Sequence, residues 1–283
     1  MRRRLAVLVI AVAAALSPSV RGQAHRPQRI VSLIPAATEM LFAIGAGADV
    51  VGVSSFDRFP VEATTRPRVG ALLDPDTERI LSLRPTLVVV YDTQTELRTQ
   101  LDRAAIPTFR YRHGSVADIY DTIRSLGAAV DRVQNAEAVV VRMRADIAAV
   151  TASVQGRRVP TLFVVGRDPG TLQHVYVAGG AGFLNELVEL AGGSNVFGDI
   201  ARQALEVSTE QLLARRPDVI VELWPDGSLD QRMRESERAA WNALSALPAV
   251  KAHRIIEITD DRLAIPGPRL PAGIRLLAAA LHP

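Results

Sequence analysis

The fold is decided by residues 135–155, NAEAVVVRMRADIAAVTASVQ. Apolar side chains recur in this stretch at spacings of three and four, which places them on one face of a helix. They are Ala136, Val139, Val140, Met143, Ile147, Val150 and Val154. The pattern predicts a single helix of about six turns, about 30 Å long. The stretch contains no glycine or proline and is followed by Gly156, so we expect a stiff rod rather than a flexible linker.

Short apolar runs alternate with helical periodicity on both sides of this rod. Before it, the expected strands are 30–33, 50–53, 87–91 and 108–111, with helices at 38–44, 77–83 and 95–105. After it, the expected strands are 161–165, 196–197, 219–222 and 255–258, with helices at 183–191, 209–214 and 241–247. Strict alternation is typical of parallel strands with helices on both faces. The sequence therefore predicts an α/β fold with two Rossmann-like lobes, 27–134 and 157–283, whose parallel sheets are joined by the long rigid helix 135–155.

The two halves also resemble each other in sequence. Residues 77–89, TERILSLRPTLVV, match residues 209–221, TEQLLARRPDVIV, in a threonine–glutamate start, a shared leucine, an arginine–proline pair and a valine-rich strand. A second match pairs Gly47, Val50 and Gly52 with Gly193, Val196 and Gly198. One such match arises by chance in many α/β proteins, but two in the same order indicate an internal duplication.

The charge of the chain excludes a broad basic surface. The 283 residues include 33 basic and 30 acidic side chains, and 48% are hydrophobic, which is a globular composition. Four arginines, Arg2, Arg3, Arg4 and Arg21, lie in the first 22 residues, and without them 29 basic residues face 30 acidic ones. A nucleic-acid partner is therefore not expected.

The first 24 residues have the layout of a secretory signal peptide. Three arginines precede the apolar run 5–16, a Ser–Pro pair ends that run, and the small residues Gly22 and Ala24 follow. We expect a signal peptide at 1–24, cleaved after Gly22 or Ala24, with an uncleaved anchor as the alternative. The chain has no cysteine, so it lacks the residue that carries the lipid of a bacterial lipoprotein. The expected product is a soluble periplasmic protein.

Motifs for catalysis and for resident cofactors are absent from the sequence. There is no GxxxxGK[ST] phosphate loop and no GxSxG nucleophile turn, and the five histidines have no metal-ligand spacing. We therefore expect no catalytic residue, no metal site and no resident cofactor. A secreted α/β hydrolase with a scattered catalytic site and an adhesion module without any small ligand remain the alternatives from other classes.

Glu78 and Glu210 occupy equivalent positions in the duplicated segment. Each follows a residue suited to capping a helix, Asp76 and Ser208 respectively. A carboxylate in the first helical turn interacts favourably with the helix dipole, which explains either glutamate alone. Matched carboxylates on two lobes also suit a partner with two basic patches.

Four motifs carry a family resemblance. They are RIVSLIPAATEMLF at 29–42, VVGVSS at 50–55, TERILSLRPTLVV at 77–89 and the pair Pro268–Arg269. With them the chain resembles the periplasmic substrate-binding proteins of ABC importers for vitamin B12, haem and iron siderophores, and most of all the B12-binding members. The resemblance implies a ligand cleft between the lobes and delivery to a membrane permease, which is the only expected membrane contact. It also implies that Glu78 and Glu210 dock on permease arginines.

The resemblance further implies which residues bind the ligand. Phe56 and Tyr91 fall where the B12-binding members have a tyrosine and a tryptophan, and Leu72 and Ala204 fall at two other tryptophan positions. Phe56, Tyr91, Trp224 and Arg269 lie at strand ends or in the loops after them, where open α/β sheets bind ligands. The candidate ligand-binding residues are Phe56, Leu72, Tyr91, Trp224 and Arg269, with ordinary packing or an Asp partner for Arg269 as alternatives. A corrinoid is the first ligand implied, and haem or an iron–siderophore chelate the second.

Overall fold

A computed structural model describes residues 28–156, 158–224, 227 and 230–283. The signal peptide predicted at 1–24 lies outside the described residues. Among the described residues, no helix combines the length and the apolar composition needed to cross a membrane.

The N-terminal lobe is built on a four-stranded parallel sheet. Its strands are β1 Ile30–Ser32, β2 Val50–Val53, β3 Leu87–Tyr91 and β4 Thr108–Tyr111. They lie in the order β2-β1-β3-β4, with Val31 opposite Val88 and Val89 opposite Phe109. Its helices are α1 Pro35–Ala43, α2 Thr77–Ser82, α3 Thr95–Arg103 and α4 Val116–Ala129. The central strands are buried on both faces, as expected when helices cover a parallel sheet on both sides.

The connecting helix, α5, spans Val133–Ser153. It begins two residues earlier than the pattern predicts. The expected apolar stripe is buried, from Ala136 to Val150. Gly156 follows the helix with φ +81°, a left-handed conformation that glycine adopts without strain. Because α5 packs against α4 on one side and against the C-terminal helix α10, Leu270–Leu281, on the other, it joins the cores of both lobes.

The C-terminal lobe contains a mixed sheet. Its strands are β5 Val159–Gly166, β6 Val175–Ala178, β7 Gly193–Asn195, β8 Ala204–Val207, β9 Val219–Leu223 and β10 Ile255–Ile258. The order is β10-β9-β5-β6-β8, and β7 pairs with the start of β5. The remaining helices before α10 are α6 Phe183–Leu190, α7 Thr209–Arg215, α8 Gln231–Ala240 and α9 Pro248–Lys251.

The α/β class and the two lobes are confirmed, but the second sheet is not wholly parallel as expected. Strand β6 runs antiparallel to β5 and to β8. The reason lies in the connection, because only residues 167–174 separate β5 from β6. A parallel return needs a crossover of about a dozen residues or more. The strand expected at 196–197 is also displaced, to Gly193–Asn195.

The duplicated segment has the same local structure in both lobes. Helix α2 leads through Arg84 into β3, and helix α7 leads through Arg216 into β9. Arg84 has φ 47° and Arg216 has φ 50°, so both turns use the same left-handed residue. Ile80 and Leu212, at equivalent positions, are fully buried. The duplication is therefore visible in backbone and packing as well as in sequence.

Candidate functional site

The candidate site lies between the lobes, beyond the carboxyl ends of the parallel strands. The larger cavity there has a volume of about 490 Å³. From the N-terminal lobe it is lined by Ser54 and Phe56 after β2, by Leu72, and by Tyr91 at the end of β3. Residues 264–266 line it from the C-terminal lobe. Both lobes therefore contribute walls to this cavity.

A second cavity, of about 320 Å³, is lined mainly by the C-terminal lobe. Val165 and Leu223 reach it from the ends of β5 and β9, and Phe183 reaches it from the start of α6. Both cavities are lined by His113 and Ala264. Because they share one residue from each lobe, the two cavities adjoin and form a single interlobe cleft.

Three of the five predicted ligand-binding residues line this cleft. Phe56, Leu72 and Tyr91 all border the larger cavity. The Phe56 residue is 65% exposed, so its ring is available to a ligand. Ala204, which falls at a tryptophan position of the B12-binding members, lines the second cavity.

Trp224 lies outside both cavities, against a buried ion cluster of the C-terminal lobe. Its ring centre is 5.9 Å from the guanidinium carbon of Arg167, which lies 5.7 Å from the ring of Trp241. The Arg167 Nε donates to Glu222 Oε1 at 2.6 Å, and all these charged side chains are buried. Burial lowers the pKa of Arg167, but hydrogen bonds and charge from Glu222 and Glu237 outweigh it and raise that pKa overall. Trp224 thus lies against a guanidinium, that of Arg167, whose charge is already balanced by Glu222 and Glu237.

Arg269 also lies outside both cavities and has two carboxylate partners. Its Nε donates to Glu39 Oε2 at 2.9 Å and its Nη1 donates to Asp261 Oδ1 at 2.8 Å. The guanidinium carbon lies 4.3 Å from the centre of the Phe59 ring. The Asp partner that the sequence left as an alternative is present, together with a glutamate from the other lobe. Arg269 lines a separate polar recess of about 340 Å³.

An aromatic cluster forms the wall of the cleft in the N-terminal lobe. The ring centres of Tyr91 and Tyr111 are 5.7 Å apart, and His113 lies 5.5 Å from Tyr91 and 5.3 Å from Tyr111. The Tyr111 hydroxyl lies 3.4 Å from His113 Nδ1. Burial lowers the pKa of His113 and raises the pKa of Tyr91 and Tyr111. All three rings are therefore uncharged at neutral pH, which favours contact with an apolar guest.

Asp57 is a buried carboxyl beside this wall. The residue is 1% exposed. Burial raises its pKa to about 7, which outweighs the lowering effects of the Thr38 hydroxyl, the Ser54 backbone and Arg68. Its charge raises the pKa of Tyr91, so Asp57 is close enough to influence the cleft. At mildly acidic pH this carboxyl is neutral.

The predicted docking residues Glu78 and Glu210 are both exposed, in the first turns of α2 and α7. The expected caps are present, because Asp76 accepts a hydrogen bond from the Arg79 N–H and Ser208 accepts one from the Gln211 N–H. The Ser208 hydroxyl also helps to lower the pKa of Glu210. Since each helix leads into a parallel strand, both glutamates lie toward the carboxyl edge of a sheet.

Sequence reasoning missed several residues of the site. His113 lies two residues after the end of β4, so the strand-end rule applied to Phe56 and Tyr91 could have found it. Glu39 lies inside the motif at 29–42, but its partner Arg269 is 230 positions away in sequence, so no local pattern reveals the pair. Among the described residues, no group of three or more His, Asp or Glu side chains could hold a metal ion.

Two relatives and a solved structure are similar along most of the chain. A vitamin B12-binding protein of Pectobacterium carotovorum is 29% identical over 246 residues, covering 86% of this chain and 84% of the relative. YvrC, described as an ABC transporter substrate-binding lipoprotein of Bacillus subtilis, is 27% identical over 266 residues, covering 91% and 81%. The structure of the periplasmic heme-binding protein RhuT from Roseiflexus sp. RS-1 matches with a TM-score of 0.76 at 28% identity, covering 91% of this chain and 98% of that chain.

The family comparison agrees with these likenesses. The model of the family described as periplasmic binding protein matches residues 30–262. The match confirms the resemblance carried by the four motifs and the expectation of a binding protein rather than an enzyme. Although YvrC is described as a lipoprotein, this chain has no cysteine, and its secretory signal stays a prediction. With its two α/β lobes, its connecting helix and its interlobe cleft, the chain belongs to the periplasmic binding protein family.

Proposed function

We propose that this protein is a periplasmic receptor that binds a corrinoid between its lobes and delivers it to the permease of an ABC importer. The observation that carries the proposal is the interlobe cleft, with its two adjoining cavities and its apolar walls. The 29% identity to a vitamin B12-binding protein supports a corrinoid as the first choice. The exposed Phe56 ring and the Tyr91 ring supply the flat apolar contacts that a large macrocycle uses.

The size of the cleft supports a large guest. Its cavities of about 490 and 320 Å³ each fall in the range of small-molecule sites, which is about 300–1,000 Å³. Since the two adjoin at His113 and Ala264, a guest that spans both would touch each lobe. A small ion or a sugar would leave most of this apolar surface unused.

Haem or an iron–siderophore chelate is the second candidate. It is supported by the 28% identity to a heme-binding protein and by the oxygen and nitrogen donors of Tyr91 and His113 on the cleft wall. Tyrosine and histidine are both established ligands of haem iron. The two candidates share the same cleft and differ only in the metal-bearing guest.

Docking would involve the first turns of α2 and α7, one on each lobe. Glu78 and Glu210 are exposed at matched positions, where two carboxylates could pair with permease arginines. Membrane contact then occurs only through the permease. Cleavage after Gly22 or Ala24 would release the protein into the periplasm.

Titration of the purified mature chain tests the ligand. Cyanocobalamin, haemin and ferric siderophores are each added while heat and absorbance are followed. Saturable binding of cyanocobalamin at one site per chain is the expected result. Tight binding of haemin or a siderophore instead would replace the corrinoid with the second candidate. If none of the three binds, the ligand proposal is wrong.

Replacement of both docking glutamates tests the delivery step. Glu78→Ala together with Glu210→Ala should leave ligand affinity unchanged, because neither residue lines the cleft, and should abolish uptake through the permease. A matched control is Glu235→Ala, which removes an exposed glutamate from α8. Unchanged uptake in the double variant would reject the docking role.

A further inference from the structure

The duplicated segment shows which residues are the same at equivalent positions in the two lobes. Most residues shared by 77–89 and 209–221 have a reason in packing or backbone. The equivalent positions Ile80 and Leu212 are both apolar and fully buried, and the shared prolines Pro85 and Pro217 precede β3 and β9. Arg84 and Arg216 place a cation at the end of each helix, where it interacts favourably with the helix dipole.

One shared apolar residue lies outside the buried core. Leu81 and Leu213 occupy equivalent positions on α2 and α7, and both residues are 39% exposed. Neighbouring surface positions have diverged, since Arg79 corresponds to Gln211 and Ser82 to Ala214. A single exposed leucine is ordinary on a protein surface. The same leucine kept at matched exposed positions indicates a common use.

Each leucine lies three residues after a docking glutamate. Residues at i and i+3 are neighbours on one face of a helix. Glu78 and Leu81 therefore form one patch on α2, and Glu210 and Leu213 form a matching patch on α7. In each patch a carboxylate lies beside an apolar side chain.

We propose that these two patches, Glu78 with Leu81 and Glu210 with Leu213, are the units by which the protein recognises its permease. Each patch fits a partner surface that offers a cation next to an apolar side chain, because the leucine then loses water as the charges pair. Two matched patches fit a permease with two like surfaces. This inference rests on the proposed function and adds the leucines to its docking surface.

The first experiment measures binding to the importer of the source organism, reconstituted as its permease–ATPase complex in lipid nanodiscs. Leu81→Ser together with Leu213→Ser should weaken binding by about tenfold or more, since each change removes buried apolar contact at the interface. Val141→Ser is the matched control, because Val141 is 58% exposed on α5 and belongs to neither patch. Its binding should be unchanged. Equal affinity of the double leucine variant and the unaltered chain would overturn the inference.

The second experiment uses the absence of native cysteine. Leu81→Cys and Leu213→Cys each give a chain with a single thiol, to which a short photoactivatable cross-linker is attached. On the same nanodiscs, both sites should cross-link to the permease polypeptide, and Val141→Cys should not. Cross-linking from only one of the two leucine positions would contradict two matched patches. Cross-linking from Val141→Cys as strong as from the leucine positions would contradict them as well.

The same variants separate this inference from the proposed function. Cyanocobalamin and haemin are titrated into the double leucine variant and the unaltered chain. If neither ligand binds either chain, the ligand proposal fails while the docking result stands. If the glutamate double variant loses docking and the leucine double variant keeps it, only the role of the leucines is wrong.

Discussion

The carboxylate of Glu39, in the first helix of the N-terminal lobe, is paired with the guanidinium of Arg269, at the start of the last helix of the C-terminal lobe. The Nε–Oε2 distance is 2.9 Å, and Glu39 is 3% exposed. Asp261 accepts from the other side of the same guanidinium. The two lobes are thus connected by a buried ion pair as well as by α5.

Loss of the cation should destabilise the protein in a pH-dependent way. Burial raises the pKa of Glu39, and Arg269 partly offsets this. Arg269→Met would leave the carboxylate buried without its cation, so we expect the free energy of unfolding at pH 8 to fall by about 3 kcal/mol. The loss should be smaller at pH 5, because burial raises the pKa of Glu39 and protonation removes the unpaired charge. Urea unfolding at both pH values measures this, with Arg158→Met, from an exposed pair with Glu189, as the control with little change.

Asp57 should make the protein less stable as the pH rises from about 4 to 7. In the unfolded chain this carboxyl ionises near pH 4, whereas in the folded chain its pKa is raised to about 7. Ionisation therefore favours the unfolded state across that interval, and the effect levels off above it. Asp57→Asn should remove the penalty and raise the free energy of unfolding at pH 8 by about 4 kcal/mol, with no gain near pH 4.

For Asp118 we expect the opposite effect of an Asp→Asn change on stability, measured by the same urea unfolding. Asp118 belongs to the capping box of α4, and hydrogen bonds from Ser115 lower its pKa. Asp118→Asn should therefore reduce stability at pH 8. If Asp57→Asn also reduces stability there, burial is not the dominant influence on Asp57.

Phe56 should contribute to ligand affinity without contributing to stability. Its residue is 65% exposed in the cleft, so Phe56→Ala removes contact with the guest and little core packing. We expect about tenfold weaker binding of whichever of cyanocobalamin or haemin the unaltered chain binds. Tyr176→Ala, at an aromatic residue that is 43% exposed on β6, is the control and should bind normally. Equal affinities in the two variants would remove Phe56 from the site.

The connecting helix should be sensitive on its buried face and tolerant on its exposed face. Met143 is 3% exposed, so Met143→Ala leaves a cavity and should lower the free energy of unfolding by about 2–5 kcal/mol. Ala145 is exposed on the same helix, and Ala145→Gly should cost about 1 kcal/mol through helix propensity alone. Calorimetric unfolding of both variants compares the two values, and a reversed order would contradict the buried stripe.

The features that follow from local pattern were predictable from the sequence. The apolar spacing of 135–155 is enough to predict α5, and the caps Asp76 and Ser208 are apparent from residue type. Phe56 and Tyr91 were placed in the cleft by their positions at strand ends and by the family resemblance, and Leu72 by the resemblance alone. The helix and its caps need only local sequence, whereas the resemblance draws on motifs along the whole chain.

The features that depend on distant partners were not predictable in this way. Strand β6 has only four residues, and its reversed direction is fixed by antiparallel pairing with β5 and β8 rather than by its own sequence. Arg269 is drawn away from the two cavities by Glu39, which no local pattern reveals. Trp224 follows a strand as expected, but its ring lies near Arg167, 5.9 Å from the guanidinium carbon, and lines neither cavity.

Two attachments far apart in sequence restrict relative movement of the lobes more than a single joint would. Opening of the cleft in solution would require the Glu39–Arg269 ion pair to break while α5 stays intact. We therefore expect wide opening to be rare. We expect the proposed permease, which would contact both lobes, to supply the force that parts them and releases the ligand.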